Sequence, residues 1–323
     1  MEAQLVPELP VGNWQYEPKW DGFRGVVEND GGELAVWSRN GRPLLRYFPE
    51  LAPLGAKLPP LSALDGEIVI ERDGKLDFDA LQLRLHPAES RIRKLAVEIP
   101  ARFIVFDVLL WKGKPVWQLP LAKRRAQLEK VALPFAVSSA SSDPRLARRW
   151  LARLEVAGLD GVIAKRLDSP YLPGSRGAVV KVKPHKTADC VVVGVRWKSK
   201  STRLATLLLG LYEGANLRYV GSCAVAPARH DETLELIHPL LKGAPERGFR
   251  EPNRWGTGDL AESALRPELV CEVRYDKVER HRFRHGTKLV RFRADKEPGE
   301  CTWSHVRPRR RRGDPTVESL LTG

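Results

Sequence analysis

The stretch EPKWDGFR, residues 17–24, brings a lysine, an aspartate and a glycine together in the order KxDG. Alternate side chains of an extended segment point to the same side, so Lys19 and Asp21 would share one face of a strand. Such a placement suits a lysine that acts as a nucleophile. The pattern is short, however, and a surface salt bridge is the simpler explanation of Lys19 when the stretch is taken alone.

Around this stretch, short β-like runs alternate with a few helices as far as about Lys183. The runs are LAVWSRNG (34–41), LDGEIVI (64–70), RFIVFDVLLW (102–111), GLDGVIAK (158–165) and AVVKVK (178–183). Asp143 and Pro144 are typical of a helix N-cap and first turn, and the apolar face after them predicts a helix that runs up to Gly158. The pattern predicts an α+β domain of antiparallel sheets and helices.

The segment PHKT, residues 184–187, interrupts this pattern before the apolar run CVVVGVRW, and we expect an interdomain hinge there. The predicted boundaries are 1–186 for the first domain, 187–306 for the second, and 307–323 for a basic, flexible tail. The second domain contains several strands and a helix near residues 232–241 that ends at Gly243. This composition favours a small barrel, with an OB-fold as the leading prediction.

The chain carries a strong excess of positive charge. Its 323 residues include 54 lysines and arginines against 40 acidic residues, a formal net charge of +14. Nucleic acid is favoured as the partner over a membrane surface because no long basic amphipathic helix appears. Solubility alone is the alternative, but the basic residues recur along the whole chain among Trp, Tyr and Phe, a mixture that suits phosphate contacts. The four cysteines lie far apart without metal-ligand spacing, which predicts reduced packing residues. The sequence shows no leader pattern and no membrane-span window, which predicts a cytoplasmic protein.

Six further segments follow EPKWDGFR in an order that matches a known superfamily. They are SRNG (38–41), DGE (65–67), FIVFD (103–107), DGVIAK (160–165), KVK (181–183) and RADK (293–296). Together with KWDGFR they resemble motifs I, Ia, III, IIIa, IV, V and VI of the covalent nucleotidyltransferases. Over nearly its whole length the chain resembles the ATP-dependent DNA ligases, and most closely the compact bacterial end-joining ligases, similar to LigC and the ligase module of LigD.

This resemblance implies a fold and a reaction. The implied fold is a nucleotidyltransferase domain, ATP-grasp-like, of antiparallel sheets and helices, followed by a C-terminal OB-fold β-barrel. The implied reaction seals 5′-phosphate/3′-hydroxyl nicks in duplex DNA by three transfers. AMP passes from ATP to Lys19, whose amine must be neutral to attack, then to the DNA 5′-phosphate, and the 3′-hydroxyl finally expels it. ATP and Mg²⁺ or Mn²⁺ are the implied cofactors.

The resemblance also implies the nucleotide and metal sites. Phe106 would stack on adenine, Glu17 would read the purine edge, and Arg24 with Glu67 would hold the ribose. The full set expected to contact ATP or AMP is Glu17, Lys19, Arg24, Glu67, Phe106, Lys165, Lys181 and Lys183. The implied metal ligands are Glu67 and Asp160, where the family usually carries glutamate at the second position.

The residues alone leave simpler alternatives open for some of these positions. Phe106 suits a hydrophobic core equally well, and KVK is also typical of a solvated strand face. Asp107 is expected to be a structural acceptor without a catalytic role.

Two further sets of residues complete the implied machinery. Arg39 resembles a residue that contacts the 5′-phosphate of the nick, a task that suits a guanidinium fork, although a plain surface arginine is the alternative. Arg293, Asp295 and Lys296 resemble the group that closes over ATP and orients the pyrophosphate leaving group. If so, the second domain rotates about the hinge between the steps.

The expected partner is nicked or broken duplex DNA, bound by a monomer associated with the bacterial nucleoid. Ku and a primase-like polymerase are implied as partners by the resemblance alone. Two alternatives remain: an RNA ligase or mRNA-capping guanylyltransferase, which would share the Lys19 chemistry, and a noncatalytic DNA-binding OB protein. DGVIAK and DGFR favour a DNA ligase over the first, and the intact lysines Lys19, Lys181 and Lys183 argue against the second.

Overall fold

Two units make up the chain: Met1–Pro184 together with Arg309–Gly323, and His185–Pro308. The computed structural model describes residues 2–31, 33–131, 133–198, 203–242, 262–279, 281–284 and 286–322. Among the described residues, no helix is both long and apolar enough to cross a membrane.

The first unit is built on two main sheets and a separate pair of short strands, flanked by short helices. Its strands are β1 (Gln4–Leu5), β2 (Trp14–Pro18), β3 (Phe23–Asn29), β4 (Leu34–Ser38), β5 (Ser62–Val69), β6 (Glu71–Arg72), β7 (Lys75–Leu76), β8 (Arg102–Trp111), β9 (Lys114–Pro115), β10 (Ala136–Ser138), β11 (Val162–Arg166) and β12 (Val179–Val182). Its helices are α1 (Ala52–Gly55), α2 (Phe78–Leu83), α3 (Glu89–Glu98), α4 (Leu121–Lys130) and α5 (Pro144–Arg153).

The smaller sheet has the strand order β1-β12-β11-β2, and the larger sheet contains the path β10-β8-β5-β3-β4. Most neighbours are antiparallel, as predicted, but β1 runs parallel to β12 and β10 runs parallel to β8. The larger sheet is covered on both faces, since neighbouring residues of one strand enter different cores. Ile68 packs in one hydrophobic cluster and Val69 in the other, and both are fully buried.

Helix α5 follows the sequence signals closely at its start. The Asp143 side chain accepts a hydrogen bond from the backbone N–H of Arg145 at 2.8 Å, and Pro144 occupies the first turn. The α-helix itself ends at Arg153, and a 3₁₀ turn carries the chain on to Gly158 at φ 82°. A Cβ there would lie 2.7 Å from the carbonyl oxygen of Leu76, so the close approach requires glycine.

The described part of the second unit contains a six-stranded sheet, a separate pair of short strands and two short helices. Its elements are β13 (Lys186–Trp197), β14 (Leu204–Glu213), β15 (Asn216–Ala224), α6 (His230–Ile237), β16 (Glu262–Ala264), β17 (Val270–Tyr275), β18 (Val278–Glu279), β19 (Arg282–Phe283), β20 (Thr287–Phe292) and α7 (Trp303–Val306). The sheet order is β14-β15-β20-β17-β13-β16, and β13 also pairs with β14. Helix α6 begins two residues before the predicted start, and the predicted stop at Gly243 lies outside the described residues.

The core of the second unit contains all four cysteines as free, buried thiols. They are Cys190, Cys223, Cys271 and Cys301. Burial raises the pKa of the Cys190 thiol well above its ordinary value, which keeps it protonated. The thiols therefore serve as packing groups, in agreement with the sequence analysis.

The prediction of a flexible tail is wrong for its last residues, which fold onto the first unit. Strand β21 (Leu321–Thr322) pairs antiparallel with β10 and extends the larger sheet. Val317 and Leu320 are 0% and 1% exposed. These apolar residues bury enough surface to anchor the segment, and Asp314 adds an ion pair with Arg153 of α5. The basic run 307–312 that dominated the prediction is exposed.

Candidate active site

The first unit contains a cavity of about 1230 Å³ between its two sheets, large enough for a nucleotide. Predicted site residues that line it are Glu17, Lys19, Arg24, Arg39, Glu67, Phe106, Lys165 and Lys181. Two more predicted residues join this set through ion pairs. Asp160 pairs directly with Lys19, and Lys183 pairs with the same Asp160 carboxylate. Side chains from all the predicted motifs except RADK, although dispersed along the sequence, therefore meet at one cavity.

Lys19 follows β2 directly and is fixed by the backbone of the DG turn. Its N–H donates to the carbonyl of Gly161 at 2.9 Å, and the N–H of Asp160 donates back to the Lys19 carbonyl at 3.3 Å. Gly161 has φ 143°, and a Cβ there would lie 2.2 Å from the carbonyl oxygen of Val182. The glycine of DGVIAK is therefore needed to bring β12 close to the lysine.

Asp160 pairs with two ammonium groups. Lys19 Nζ and Lys183 Nζ each lie 2.9 Å from its Oδ2 atom. Burial by itself would raise the pKa of Asp160, but the two lysines outweigh it and lower the pKa to about 2. Asp160 is consequently an anion at every physiological pH.

Lys181 lies one strand position before Val182 and faces the cavity. Burial lowers its pKa, and the positive charges of Lys19 and Lys183 lower it further. Three ammonium groups that repel one another in this way form a place where a phosphate would relieve the repulsion.

Arg24 is held by two residues to which the sequence analysis gave no role. Its Nε and Nη2 atoms donate to Asp65 at 3.1 and 2.7 Å, and Nη2 also donates to the Tyr171 hydroxyl at 2.9 Å. The Tyr171 hydroxyl donates to Asp65 at 2.8 Å, which closes a triangle around a fully buried carboxylate. Asp65 was visible in the DGE motif, whereas Tyr171 in SPYLPG matched no pattern that assigns it a function.

Glu67 lies opposite Arg24 in the register between β3 and β5. The backbone N–H of Gly22 donates to its Oε1 atom at 3.1 Å. Burial raises the pKa of Glu67 to about 8, although Lys19 and Arg24 act in the opposite direction. A carboxylate with this pKa is short of positive charge, and a bound cation would supply it.

Glu17, Lys165 and Phe106 form a second group in the cavity. Lys165 Nζ lies 2.8 Å from Glu17 Oε2 and 4.5 Å from the centroid of the Phe106 ring. Gln15 donates to the other oxygen of Glu17 at 2.7 Å. Phe106 itself is half-buried and lines the cavity, so its ring presents a surface on which a flat base can stack.

Asp107, the neighbour of Phe106, accepts two hydrogen bonds from the buried Arg124 at 2.7 and 3.0 Å. It therefore serves as the structural acceptor that the sequence suggested.

Arg39 stands at the rim of the cavity with 65% of its side chain exposed. It donates to Glu2 at 2.8 Å, and Arg176 lies 3.4 Å from the second oxygen of the same carboxylate. These two hydrogen-bonded arginines lower the pKa of Glu2. Arg176 is a second rim cation that the sequence analysis did not identify.

The RADK segment lies in the second unit. Arg293 donates through Nε and Nη2 to Asp295, each at 2.8 Å. Lys296 donates to Asp189 at 2.6 Å, and Arg293 Nη1 lies 3.1 Å from the same carboxylate. Asp189 is absent from the predicted set.

Comparison with known proteins follows the same division of the chain. The model of the ATP dependent DNA ligase domain matches residues 3–183, and that of the ATP dependent DNA ligase C terminal region matches residues 200–296. DNA ligase C1 of Mycolicibacterium smegmatis is 43% identical over 94% of this chain and 92% of its own length. The end-joining protein LigD of Pseudomonas aeruginosa is 31% identical over 93% of this chain and 36% of its own.

A solved Lig E DNA ligase shares the fold, with a TM-score of 0.55 at 16% identity over 91% of this chain and all of that one. The cavity with its lysines, the two consecutive ligase models and the near full-length similarity to DNA ligase C1 agree. The chain belongs to the ATP-dependent DNA ligase family.

Proposed function

We propose that this ligase seals nicks in duplex DNA through an AMP that is carried covalently on Lys19. The observation that carries the proposal is the position of Lys19 in the cavity, paired with Asp160 and close to Lys181 and Lys183. A lysine that only served as a surface ion pair would not require a cavity with two further ammonium groups. The 43% identity to a DNA ligase over most of both chains supports the same reaction.

In the first step Lys19 Nζ forms a bond to the α-phosphorus of ATP, and the bond to the oxygen that bridges to the β-phosphate breaks. The Lys19 ammonium first gives up one proton to solvent, since only the neutral amine can attack, and the nitrogen loses a second proton as pyrophosphate leaves. Asp160 remains ionised because its pKa is about 2, so it positions the amine instead of accepting either proton. Lys181 and Lys183 neutralise the charge that develops on the phosphoryl oxygens.

The nucleotide-binding roles rest on where the side chains stand in the cavity. Phe106 stacks on the adenine, and Arg24, already held by Asp65 and Tyr171, reaches the ribose together with Glu67. Glu17 reads the purine edge, since a carboxylate has about four lone-pair sites and its contacts with Gln15 and Lys165 occupy only some of them. Lys165 links Glu17 to Phe106, since it pairs with Glu17 and donates a hydrogen bond to the Phe106 carbonyl oxygen at 3.3 Å.

Glu67 and Asp160 would hold Mg²⁺ or Mn²⁺. The described residues contain no group of three His, Cys, Asp or Glu side chains with metal-site geometry. Two carboxylates nonetheless fit Mg²⁺, which keeps several waters and binds phosphate oxygens in place of a full set of protein ligands. Burial raises the pKa of Glu67, and a bound cation would favour its ionised form. When bound, the ion would stabilise negative charge on the phosphates.

We assign an adenylyltransferase domain to residues 1–186 and an OB-fold domain to residues 187–306, which the two family models, over residues 3–183 and 200–296, support. The compact units divide close to these bounds, between Pro184 and His185, and residues 309–323 belong with the first unit. Arg293, Asp295 and Lys296 would orient the pyrophosphate leaving group when the second domain approaches ATP. The domain then turns away so that duplex DNA can bind.

In the second step an oxygen of the DNA 5′-phosphate attacks the phosphorus of the lysyl-AMP, the bond from that phosphorus to Lys19 Nζ breaks, and the nitrogen takes up a proton. In the third step the 3′-hydroxyl attacks the phosphorus of the DNA 5′-phosphate and loses its proton to solvent, and AMP leaves. Arg39 contacts the 5′-phosphate of the nick from the cavity rim. The protein acts as a monomer on nicked or broken DNA at the nucleoid. The similarity to the end-joining protein LigD supports a role in end joining. Ku and a primase-like polymerase are the partners that the family resemblance implies for that role.

Intact mass before and after incubation with ATP and Mg²⁺, followed by peptide mapping, tests the proposal. One added AMP on Lys19 is expected, and Lys19→Ala should lack the adduct while still sealing a preadenylylated nick. A guanylyltransferase would form its adduct with GTP instead. A noncatalytic DNA-binding protein would bind DNA and form no adduct with either nucleotide, and each of these results would refute the ligase mechanism.

A further inference from the structure

A single aspartate outside the seven motifs holds two residues of the RADK segment. Asp189 lies in the second unit on β13, and its two oxygens accept from different cations. Arg293 Nη1 lies 3.1 Å from Oδ1, and Lys296 Nζ lies 2.6 Å from Oδ2. Arg293 and Lys296 therefore each have their own acceptor oxygen, and the single Asp189 carboxylate fixes the distance between the two cations.

The surroundings make this contact firmer than an ordinary surface pair. The side chains of Asp189, Arg293 and Lys296 are only 18–19% exposed. Asp295, which is 66% exposed, binds the other edge of the Arg293 fork through Nε and Nη2. The guanidinium is thus held on two edges, which determines the orientation of its plane.

The backbone that carries Asp189 is also well fixed. β13 pairs with β17, where Asp189 stands opposite Glu272. The N–H of Arg293 donates to the carbonyl of Val270 on the same β17 strand at 2.9 Å. Asp189 and the RADK segment are therefore tied to one common strand, so the carboxylate can act as a rigid reference point for both cations.

We propose that Asp189 is a positioning residue for the ATP-dependent step, in which it aims Arg293 and Lys296 at the triphosphate. This inference rests on the proposed role of the RADK segment. A guanidinium has five N–H donors and an ammonium has three, so contacts with Asp189 leave each group donors for phosphate oxygens. Cations that are oriented in advance stabilise a leaving pyrophosphate without a reorganisation cost.

Asp189→Asn tests this role because it keeps the shape of the side chain and removes its charge. We expect lysine adenylylation at subsaturating ATP to slow by about 10- to 100-fold, the range typical of a misplaced phosphate-binding group. The KM for ATP should rise, and pyrophosphate should inhibit less strongly. Sealing of preadenylylated nicked DNA should stay within about twofold of the unaltered protein, because that step uses no triphosphate.

The matched control is Glu262→Gln. Glu262 pairs with Arg196 of the same β13 strand at 2.6 Å and is 20% exposed, close to the value for Asp189. It should leave both steps unchanged. Equal losses in both steps for Asp189→Asn would overturn the proposal, since a general loss of folded protein lowers both rates alike. Rates identical to those of the control variant, or faster adenylylation, would overturn it as well.

Arg293→Ala separates this inference from the function on which it rests. If Arg293→Ala slows adenylylation selectively and Asp189→Asn does not, the role of RADK stands and that of Asp189 fails. If neither Arg293→Ala nor Asp295→Ala slows adenylylation selectively, the proposed role of the segment itself is refuted.

Discussion

Lys19 and Lys183 share one acceptor, the Oδ2 atom of Asp160, which lies 2.9 Å from each ammonium nitrogen. One buried carboxylate thereby joins the proposed nucleophile to the last lysine of the KVK segment. Loss of this charge would remove the acceptor that the two ammonium groups share, and their mutual repulsion with the nearby Lys181 would then be less compensated.

Asp160→Asn should therefore slow lysine adenylylation by about 10- to 100-fold, because the amine and the phosphate-binding lysine lose their common anchor. Asp160→Glu restores the residue that the family usually carries and should retain most of the rate. The measurement is the time course of AMP addition by intact mass. Equal rates for the Asn and Glu variants would contradict the anchoring role.

Glu67 should make the stability of the nucleotide-free protein depend on pH. Its folded pKa of about 8 is raised above the ordinary value of 4.5, so its stabilising contribution is complete below about pH 4.5 and is lost as the pH rises towards 8. Glu67→Gln should consequently raise the unfolding temperature at pH 8 more than at pH 5, while it impairs adenylylation.

Glu71→Gln, which removes the partner of Arg102 at 3.2 Å, is the control for this pH effect. It should show no comparable gain at pH 8. A Glu67→Gln variant whose unfolding temperature changes equally at both pH values would rule out a buried carboxyl that titrates between them.

Tyr171→Phe should weaken ATP binding without preventing the reaction. The change removes the hydroxyl that contacts both Arg24 and Asp65, and a lost hydrogen bond of this kind costs about 1 kcal/mol, or roughly a fivefold higher KM for ATP. The KM for ATP is measured from initial adenylylation rates over a range of ATP concentrations. A lower maximal rate with an unaltered KM would show that Tyr171 acts on the chemical step instead.

Leu320→Ala should destabilise the first unit by about 2–4 kcal/mol, since Leu320 is 1% exposed and its loss leaves a cavity. The neighbouring Glu318→Ala removes only an exposed ion pair with Arg102 and should cost less than about 1 kcal/mol. Urea unfolding followed by circular dichroism compares the two. Similar small losses would mean that the C-terminal segment contributes little to the stability of the fold.

Arg39→Ala should reduce the affinity for nicked DNA and lower the slope of binding against salt concentration by about one. Glu2→Gln should act in the opposite direction, because Glu2 competes with phosphate for Arg39 and Arg176. Binding titrations at several salt concentrations compare the affinities of these variants. Every protein also carries Lys19→Ala, so that no ligation occurs during the measurement. An unchanged salt slope in the Arg39 variant would exclude a phosphate contact at the rim.

Much of the site could be predicted because its parts are short and local. Strand periodicity correctly places Lys181 on β12, and the glycine of DGVIAK is required where the chain approaches Val182. β2 ends at Pro18, so Lys19 and Asp21 lie just beyond a strand instead of sharing a strand face as predicted. The helix cap at Asp143 is equally local. In each correctly predicted case the local structure is determined by a few residues that are neighbours in the sequence, so a short sequence pattern is sufficient to predict it.

For the C-terminal segment, local composition led to a wrong prediction. Its basic run, residues 307–312, predicts a solvated tail, yet Val317 and Leu320 pack into the first unit and β21 pairs with β10. Whether two apolar residues are buried depends on a surface that distant strands create, and the segment itself carries no sign of it.

The sequence by itself determined the family and the order of the motifs, and it singled out Lys19 as the proposed nucleophile, because these depend on residue identity at short spacing. Only the tertiary structure decided which side chains hold those motifs in place. Tyr171 meets Asp65 across 106 positions, and Arg293 meets Asp189 across 104. Contacts at such separations arise from the packing of strands whose pairing no short pattern specifies, so the supporting residues emerge only once the chain has folded.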